Sequence, residues 1–171
     1  MFAGYEHEQE VKRISDYFHQ SAERYRNMEY NPKIIARLQE KDNAQKKIPD
    51  TKTKLKTSGF SARALSDFSN DEEAYHQLIL DIATQQYAST QMVLKGSEVK
   101  RIFVDGGFSK NAIYMNLLAA FFPGIEVFAA SVAQATALGT ALSIHNAWNK
   151  GMIPGDIVEL KYFSADHYPV L

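Results

Sequence analysis

Residues 101–111, Arg-Ile-Phe-Val-Asp-Gly-Gly-Phe-Ser-Lys-Asn, decide the fold of this chain. Residues 102–104 form a short apolar run with the composition of a strand covered on both faces. Gly106 and Gly107 can adopt backbone angles that are closed to other residues, so we expect the strand to end in a sharp turn. Ser109 is then the expected N-cap of a helix. The stretch therefore predicts a corner made of a strand, a glycine turn and a helix.

A corner of this kind is suited to a phosphate or a ribose. Backbone N–H groups are exposed at the positive end of the helix, and glycines have no Cβ to keep a ligand away. The alternative is a turn that only joins a strand to a helix, and an Asp-Gly-Gly sequence by itself leaves both interpretations open. The residues that follow favour the first.

Those residues predict a helix over 109–122, a second strand over 125–128 and a helix over 131–149. Pro123 and Gly124 end the first helix. The last helix is rich in small residues at helical spacing, which suits tight packing against a sheet or the close approach of a ligand: Ala133, Ala135, Ala137, Gly139 and Ala141. A β-α-β-α unit of this kind implies parallel strands joined by a right-handed crossover.

The same order of elements resembles the C-terminal domain of FGGY carbohydrate kinases, which belong to the actin/sugar-kinase superfamily with its RNase H-like domains. In that family the Asp-Gly-Gly-x-x-x-Asn corner is the adenosine motif. The resemblance implies that Gly106, Gly107 and Asn111 bind the nucleotide, with Gly107 against its phosphate–ribose region. Residues 137–141, Ala-Leu-Gly-Thr-Ala, resemble the family's interdomain helix.

A second resemblance lies in residues 2–9, Phe-Ala-Gly-Tyr-Glu-His-Glu-Gln. It is similar to a segment in which a glycine precedes a helix, and a polar residue four positions later helps to hold the nucleotide. The residues implied here are Gly4 and Glu8, where Glu8 stands in place of the more usual Gln. The alternative for Glu8 is an exposed acidic residue that complements the helix dipole.

The resemblance implies a kinase that transfers the γ-phosphate of ATP, with Mg, to a hydroxyl of a sugar, by analogy a ketose. FGGY kinases need two large domains, and the N-terminal domain with the sugar pocket and the catalytic Asp has no counterpart in this sequence. We therefore expect a C-terminal, ATP-side fragment with no catalytic residue, inactive without its N-terminal domain. The alternative is a stand-alone, non-catalytic interaction module of the same fold.

The expected fold is α/β: a partial RNase H-like domain whose short, mostly parallel sheet is flanked by helices. A single partial domain over 1–171 would contain helices in 1–44, a loop in 45–70, a helix with the β-α-β-α core in 71–149 and a tail in 150–171. The helices in 1–44 are expected over 6–27, with a break near Ser21, and from Asn31-Pro32 onward. A long helix is expected over 71–95, capped by Asn70 or Asp71. Its expected buried residues are Leu78, Ile79, Ile82 and Ala83. The loop is expected to be held to the core by Phe60, Leu65 and Phe68. For the tail two alternatives stay open, an edge strand around 157–160 or a disordered end.

Composition limits the other functional classes. The net charge of −1 gives no basic surface for nucleic acid or for an anionic membrane. The absence of cysteine excludes disulfides and thiolate metal sites, and the five histidines lack the spacing of metal ligands. No apolar run approaches the ~18 residues of a membrane span, so we expect a cytoplasmic protein. Without the N-terminal domain, surface that an intact kinase buries would be exposed, so we expect a two-fold homodimer.

Overall fold

The computed structural model describes residues 3–44, 58–130, 135–153 and 157–164. Helices and strands alternate only in the second half of the chain. In order, the elements are α1 (Ala3–Phe18), α2 (Pro32–Ala44), α3 (Asp71–Leu94), β1 (Arg101–Val104), α4 (Ala112–Phe121), β2 (Glu126–Ala130), α5 (Ala135–Ser143), α6 (His145–Trp148) and β3 (Leu160–Phe163).

Helix α3 lies at the centre of the core and contacts α1, α2 and α4. As predicted, Asn70 caps it, because the Asn70 side chain accepts a hydrogen bond from the Glu73 N–H at 2.8 Å. The four apolar residues predicted to be buried are all fully buried. More of α3 is buried than these four residues, since helices pack against it on several sides. Polar residues of α3 are buried as well: Tyr75, His76, Gln77 and Asp81.

Within the described residues the sheet has three strands in the order β1-β2-β3. The predicted parallel pair is confirmed, since β1 and β2 run parallel with Ile102 opposite Val127. The second pair is antiparallel, with Phe128 opposite Tyr162. The fold is α/β, as expected, but the sheet is mixed and not mostly parallel. The strand expected around 157–160 is present three residues later, as β3, and forms the edge of the sheet.

The prediction that β1 is covered on both faces was wrong. Phe103 is 56% exposed. Its ring stacks on that of Phe128 with centroids 5.4 Å apart, and Phe128 in turn contacts Tyr162 at 5.3 Å. On the other face of the sheet Val127 is fully buried, and α4 contacts both β2 and β3. Because α4 covers only one face, the aromatic row Phe103–Phe128–Tyr162 lies on the open side.

Three predicted helices have different bounds. The helix expected over 6–27 begins earlier, at Ala3, and ends at Phe18; residues 22–27 form a separate 3₁₀ turn capped by Ser21. The helix expected over 109–122 begins only at Ala112. The helix expected over 131–149 is divided into α5 and α6, and residues 131–134 lie outside the described part.

Helix α5 does not pack its small residues tightly. Ala137, Gly139 and Ala141 are exposed, so the expectation of close helix–sheet packing fails for these positions. Helix α6 begins after Ile144 and is held by His145, whose Nε2 lies 2.8 Å from the carbonyl oxygen of Gly151.

The second part of the expected loop is well anchored. Residues 45–57 lie outside the described part, but 58–70 contain two 3₁₀ turns. Phe60, Leu65 and Phe68 are buried, as predicted, and each buried side chain of this size contributes roughly 1.5–3 kcal/mol to stability.

Candidate functional site

As predicted, the chain turns at the glycines after β1 and then enters a helix, but a different residue caps that helix. Gly106 has φ 74° and ψ −154°, a conformation essentially confined to glycine, and it turns the chain away from the strand. Residues 107–110 then form a 3₁₀ turn. Asn111, and not Ser109, is the N-cap of α4: its Oδ1 accepts a hydrogen bond from the Tyr114 N–H at 3.0 Å. Ser109 instead donates from Oγ to the carbonyl oxygen of Gly106 at 2.8 Å.

Both glycines of the corner border open space. A Cβ placed on Gly106 or Gly107 would meet no atom within 4 Å, and Gly107 is exposed. A cleft of about 280 Å³ opens beside the corner, between α3, β1 and α4. The cleft is lined by Gln86, Thr90, residues 102–105, Phe108, Tyr114 and Leu118. Backbone at the corner is thus accessible to a ligand.

Asn111 is half-buried and is held by two hydrogen bonds through its side chain. Besides capping α4 through Oδ1, it donates from Nδ2 to the hydroxyl of Tyr75 at 2.7 Å. Burial raises the pKa of the Tyr75 hydroxyl, so this group stays protonated at neutral pH. Burial also raises the pKa of Tyr114 to about 12. Both phenols therefore act as neutral groups behind the corner.

Helix α1 reaches the corner through His7. Its Nε2 lies 3.0 Å from the Tyr75 hydroxyl, and its ring packs edge-on against Phe108 with centroids 5.6 Å apart. Burial lowers the pKa of His7, and the neighbouring carboxylate of Glu8 opposes this shift only in part. His7 is accordingly neutral at pH 7.

Gly4 and Glu8 lie on this same helix. Gly4 is within the first turn of α1 and not before it, which corrects the expected glycine-then-helix arrangement; the helix begins at Ala3. Gly4 is exposed, and a Cβ on it would meet nothing within 4 Å. Glu8 is exposed. Among the described residues no hydrogen bond or ion pair joins either of them to the corner, so their role in binding a nucleotide stays a prediction.

Tyr75 and His7 belong to this site but were not among the predicted site residues. Tyr75 lies three and four positions before Leu78 and Ile79, so the helical spacing that predicted the buried stripe also contained Tyr75. Nothing in the sequence paired it with Asn111, because that contact joins residues 36 positions apart. The spacing of the five histidines predicts a solvated or hydrogen-bonded role for each of them, and His7 is hydrogen-bonded.

Two further findings bear on the site. Within the described ranges, no group of three or more His, Asp or Glu side chains is placed to hold a metal ion. Nor does that part of the chain contain a helix long and apolar enough to cross a membrane.

A comparison with known protein families gives a match to the part of the chain that contains the corner. Residues 73–147 match the FGGY family of carbohydrate kinases, C-terminal domain. Neither the curated proteins nor the solved structures gave a match. The matched range extends from the first turn of α3 into α6, and residues 2–9 lie outside it. The resemblance predicted from the sequence is thereby confirmed over residues 73–147, which match the C-terminal domain of the FGGY family of carbohydrate kinases.

Proposed function

We propose that this chain forms the ATP-side part of a sugar kinase and that its nucleotide site is the corner after β1. The observation that carries the proposal is the open backbone at Gly106 and Gly107, where the 3₁₀ turn that leads into α4 begins, within residues that match a carbohydrate kinase domain. The N-terminus of α4 adds the positive end of a helix dipole.

The residues present fit an adenine nucleotide in three respects. The two glycines leave room where side chains would otherwise stand, Asn111 retains a second Nδ2 hydrogen beyond its contact with Tyr75, and a cleft adjoins the turn. MgATP, when bound, supplies the γ-phosphoryl group and the metal charge for transfer to a sugar hydroxyl. Gly4 and Glu8 are assigned to the same site only through the resemblance of residues 2–9.

We assign no catalytic residue to this chain. Phosphoryl transfer requires an aligned acceptor, a base or positioning group and charge stabilisation around the phosphates. We propose that the sugar pocket and the base belong to an N-terminal kinase domain acting with this one, that the sugar is a ketose and that the kinase is cytoplasmic. The family match does not favour a stand-alone interaction module.

The test is binding of ADP to the chain, measured by isothermal titration calorimetry. We expect weak, saturable binding in the millimolar range, because one wall of the cleft is present. Gly107→Val should weaken it at least roughly tenfold, since a branched side chain enters the space that the phosphates need. Gly124→Val is the matched control: this glycine is also exposed, also free of neighbours within 4 Å and also without a positive φ.

Two results would contradict the proposal. One is an equal affinity for ADP in wild type and Gly107→Val. The other is ketose-dependent ADP release by the chain alone, in a coupled assay over a panel of ketoses, because it would place the catalytic groups in these residues.

We also propose that the open sheet face mediates association. Phe103 and Tyr162 are more than half exposed on the aromatic row, and exposed apolar surfaces of this kind are typical of interfaces. Sedimentation equilibrium should show a two-fold dimer that Phe103→Ser weakens. A monomer at all concentrations would contradict this part of the proposal.

A further inference from the structure

The hydroxyl of Tyr75 connects helix α1 to the corner through the core. It lies 2.7 Å from Asn111 Nδ2 on one side and 3.0 Å from His7 Nε2 on the other. Tyr75 itself is 1% exposed, and its ring stacks on Tyr25 with centroids 4.7 Å apart. A buried and stacked ring of this kind holds its hydroxyl in one place.

The direction of each hydrogen bond follows from the chemistry of the groups. The Tyr114 N–H can only donate, so the Asn111 atom that faces it is Oδ1, and the atom that faces Tyr75 is Nδ2. Nδ2 can only donate, so the Tyr75 oxygen accepts. The Tyr75 hydrogen is then free to point at His7 Nε2, which accepts it in the imidazole tautomer that carries its proton on Nδ1.

This chain of hydrogen bonds fixes the orientation of the Asn111 amide. With Oδ1 bound to the cap and one Nδ2 hydrogen bound to Tyr75, rotation of the amide would break both contacts. The second Nδ2 hydrogen has no acceptor within the described residues. Its direction is set by the other two bonds, at the residue that follows the open 3₁₀ turn.

We propose that Tyr75 is a positioning residue for nucleotide binding: it fixes the Asn111 amide, supported by His7, so that the amide can donate to the nucleotide at the corner. This inference rests on the proposed function and adds to it a residue from outside the corner. Tyr75 lies in the core and does not touch the ligand. Its effect on binding passes through Asn111.

The variant that tests this is Tyr75→Phe, which keeps the stacked ring and removes the hydroxyl. We expect its affinity for ADP to fall roughly three- to tenfold, the size expected for the loss of one oriented hydrogen bond. Tyr25→Phe is the matched control, because it removes a hydroxyl from the ring stacked on Tyr75 without touching Asn111. Thermal melts establish that both variants are folded.

A double-mutant cycle separates positioning from a general structural role. If Tyr75 acts through Asn111, Tyr75→Phe lowers ADP affinity in the wild-type background and has no further effect in Asn111→Ala. Equal losses in both backgrounds would show that the hydroxyl acts by another route, and would overturn the proposal. Should Tyr75→Phe fail to fold, His7→Leu removes the hydrogen-bond partner of the Tyr75 hydroxyl instead, and the same non-additivity with Asn111→Ala is expected.

A readout without nucleotide makes failure of this inference distinct from failure of the proposed function. The side-chain amide signals of Asn111 in a ¹⁵N NMR spectrum should shift in Tyr75→Phe and stay in place in Tyr25→Phe. If the signals shift and the wild type binds no ADP, both the nucleotide site and its positioning residue are wrong. If the wild type binds ADP and Tyr75→Phe binds it equally well, the nucleotide site stands and the role of Tyr75 is refuted.

Discussion

Arg63 and Asp81 form a two-point ion pair: Nε donates to Oδ2 at 2.7 Å and Nη2 donates to Oδ1 at 2.9 Å. The same guanidinium donates to both carboxylate oxygens of Asp42, at 2.8 and 2.7 Å. The Arg63 side chain, 17% exposed, thereby joins the 58–70 segment to α2 and α3. Burial alone would lower the pKa of Arg63, but the hydrogen bonds and charges of the two carboxylates outweigh this and raise it.

Replacing Arg63 should therefore strongly destabilise the fold. In Arg63→Met two neighbouring carboxylates remain without their cation, and breaking a buried pair of this kind costs about 3 to 5 kcal/mol. Urea unfolding measures the loss. Arg26→Met is the control, since the Arg26–Glu23 pair is about three-quarters exposed and should change stability by less than about 0.5 kcal/mol. Equal losses in the two variants would contradict the buried role of Arg63.

The corner glycines should respond differently to alanine. Gly106 has a positive φ of 74° with ψ −154°, so Gly106→Ala should cost about 1 to 3 kcal/mol of unfolding free energy through backbone strain. Gly107 has no positive φ and has open space around its Cβ position, so Gly107→Ala should have little effect on stability. The comparison uses the same urea titration. A larger loss in Gly107→Ala than in Gly106→Ala would refute the conformation assigned to the turn.

Stability should fall as the pH drops below about 6.5, the ordinary pKa of histidine. His76 is fully buried; its Nε2 accepts from the Asn31 N–H at 3.2 Å, and its Nδ1 lies 2.8 Å from the carbonyl oxygen of Glu72. Burial lowers the pKa of His76, and the Glu72 carbonyl opposes this in part. The unfolded chain therefore takes up a proton before the folded one does. The stability that neutral His76 contributes is complete above the pKa of His76 in the unfolded chain. It is lost as the pH falls towards the lowered pKa of His76 in the folded state.

The pH effect is isolated by comparing wild type with His76→Gln. Urea unfolding at several values between about pH 7.5 and pH 5.5 should give a steeper loss for wild type, because the variant cannot take up this proton. The difference between the two curves is the relevant quantity, since burial raises the pKa of Asp81 to about 6 and gives a contribution of opposite sign in both proteins. Parallel curves would show that His76 does not titrate in this way.

Removing the cap of the central helix should also be measurable. Asn70→Ala deletes the acceptor for the Glu73 N–H and should cost about 1 kcal/mol of unfolding free energy. Ser21→Ala is the control, because Ser21 caps only a short, mostly exposed 3₁₀ turn through a longer contact of 3.3 Å. An Asn70→Ala protein as stable as wild type would contradict the capping role.

Local sequence determined the helices and strands that are marked by apolar runs, capping residues, or glycine and proline at their ends. The apolar run before Asp105 is a strand, and the long helix ends beside Gly96 with φ 78°. Pro123 and Gly124 separate α4 from β2, and the two strands are parallel as a β-α-β unit requires. Such signals act within a few residues through backbone sterics, caps and hydrophobic periodicity. They were also enough to identify the family that residues 73–147 match.

Tertiary structure decided the rest, because the deciding contacts join residues far apart in the chain. Ser and Asn are both favoured N-cap residues, so the local sequence allows either Ser109 or Asn111 to cap the helix. Packing decides in favour of Asn111, whose amide is fixed by a tyrosine from another helix. The exposure of Phe103 depends on which helix covers which face of the sheet, and no local pattern contains that information. Arg63 lies in the expected loop over 45–70, and only the folded chain brings Asp42 and Asp81 to it from two helices. Burial and long-range pairing depend on the whole fold. Sequence patterns therefore predicted the helices and strands, whereas the partners of their polar side chains follow only from the tertiary structure.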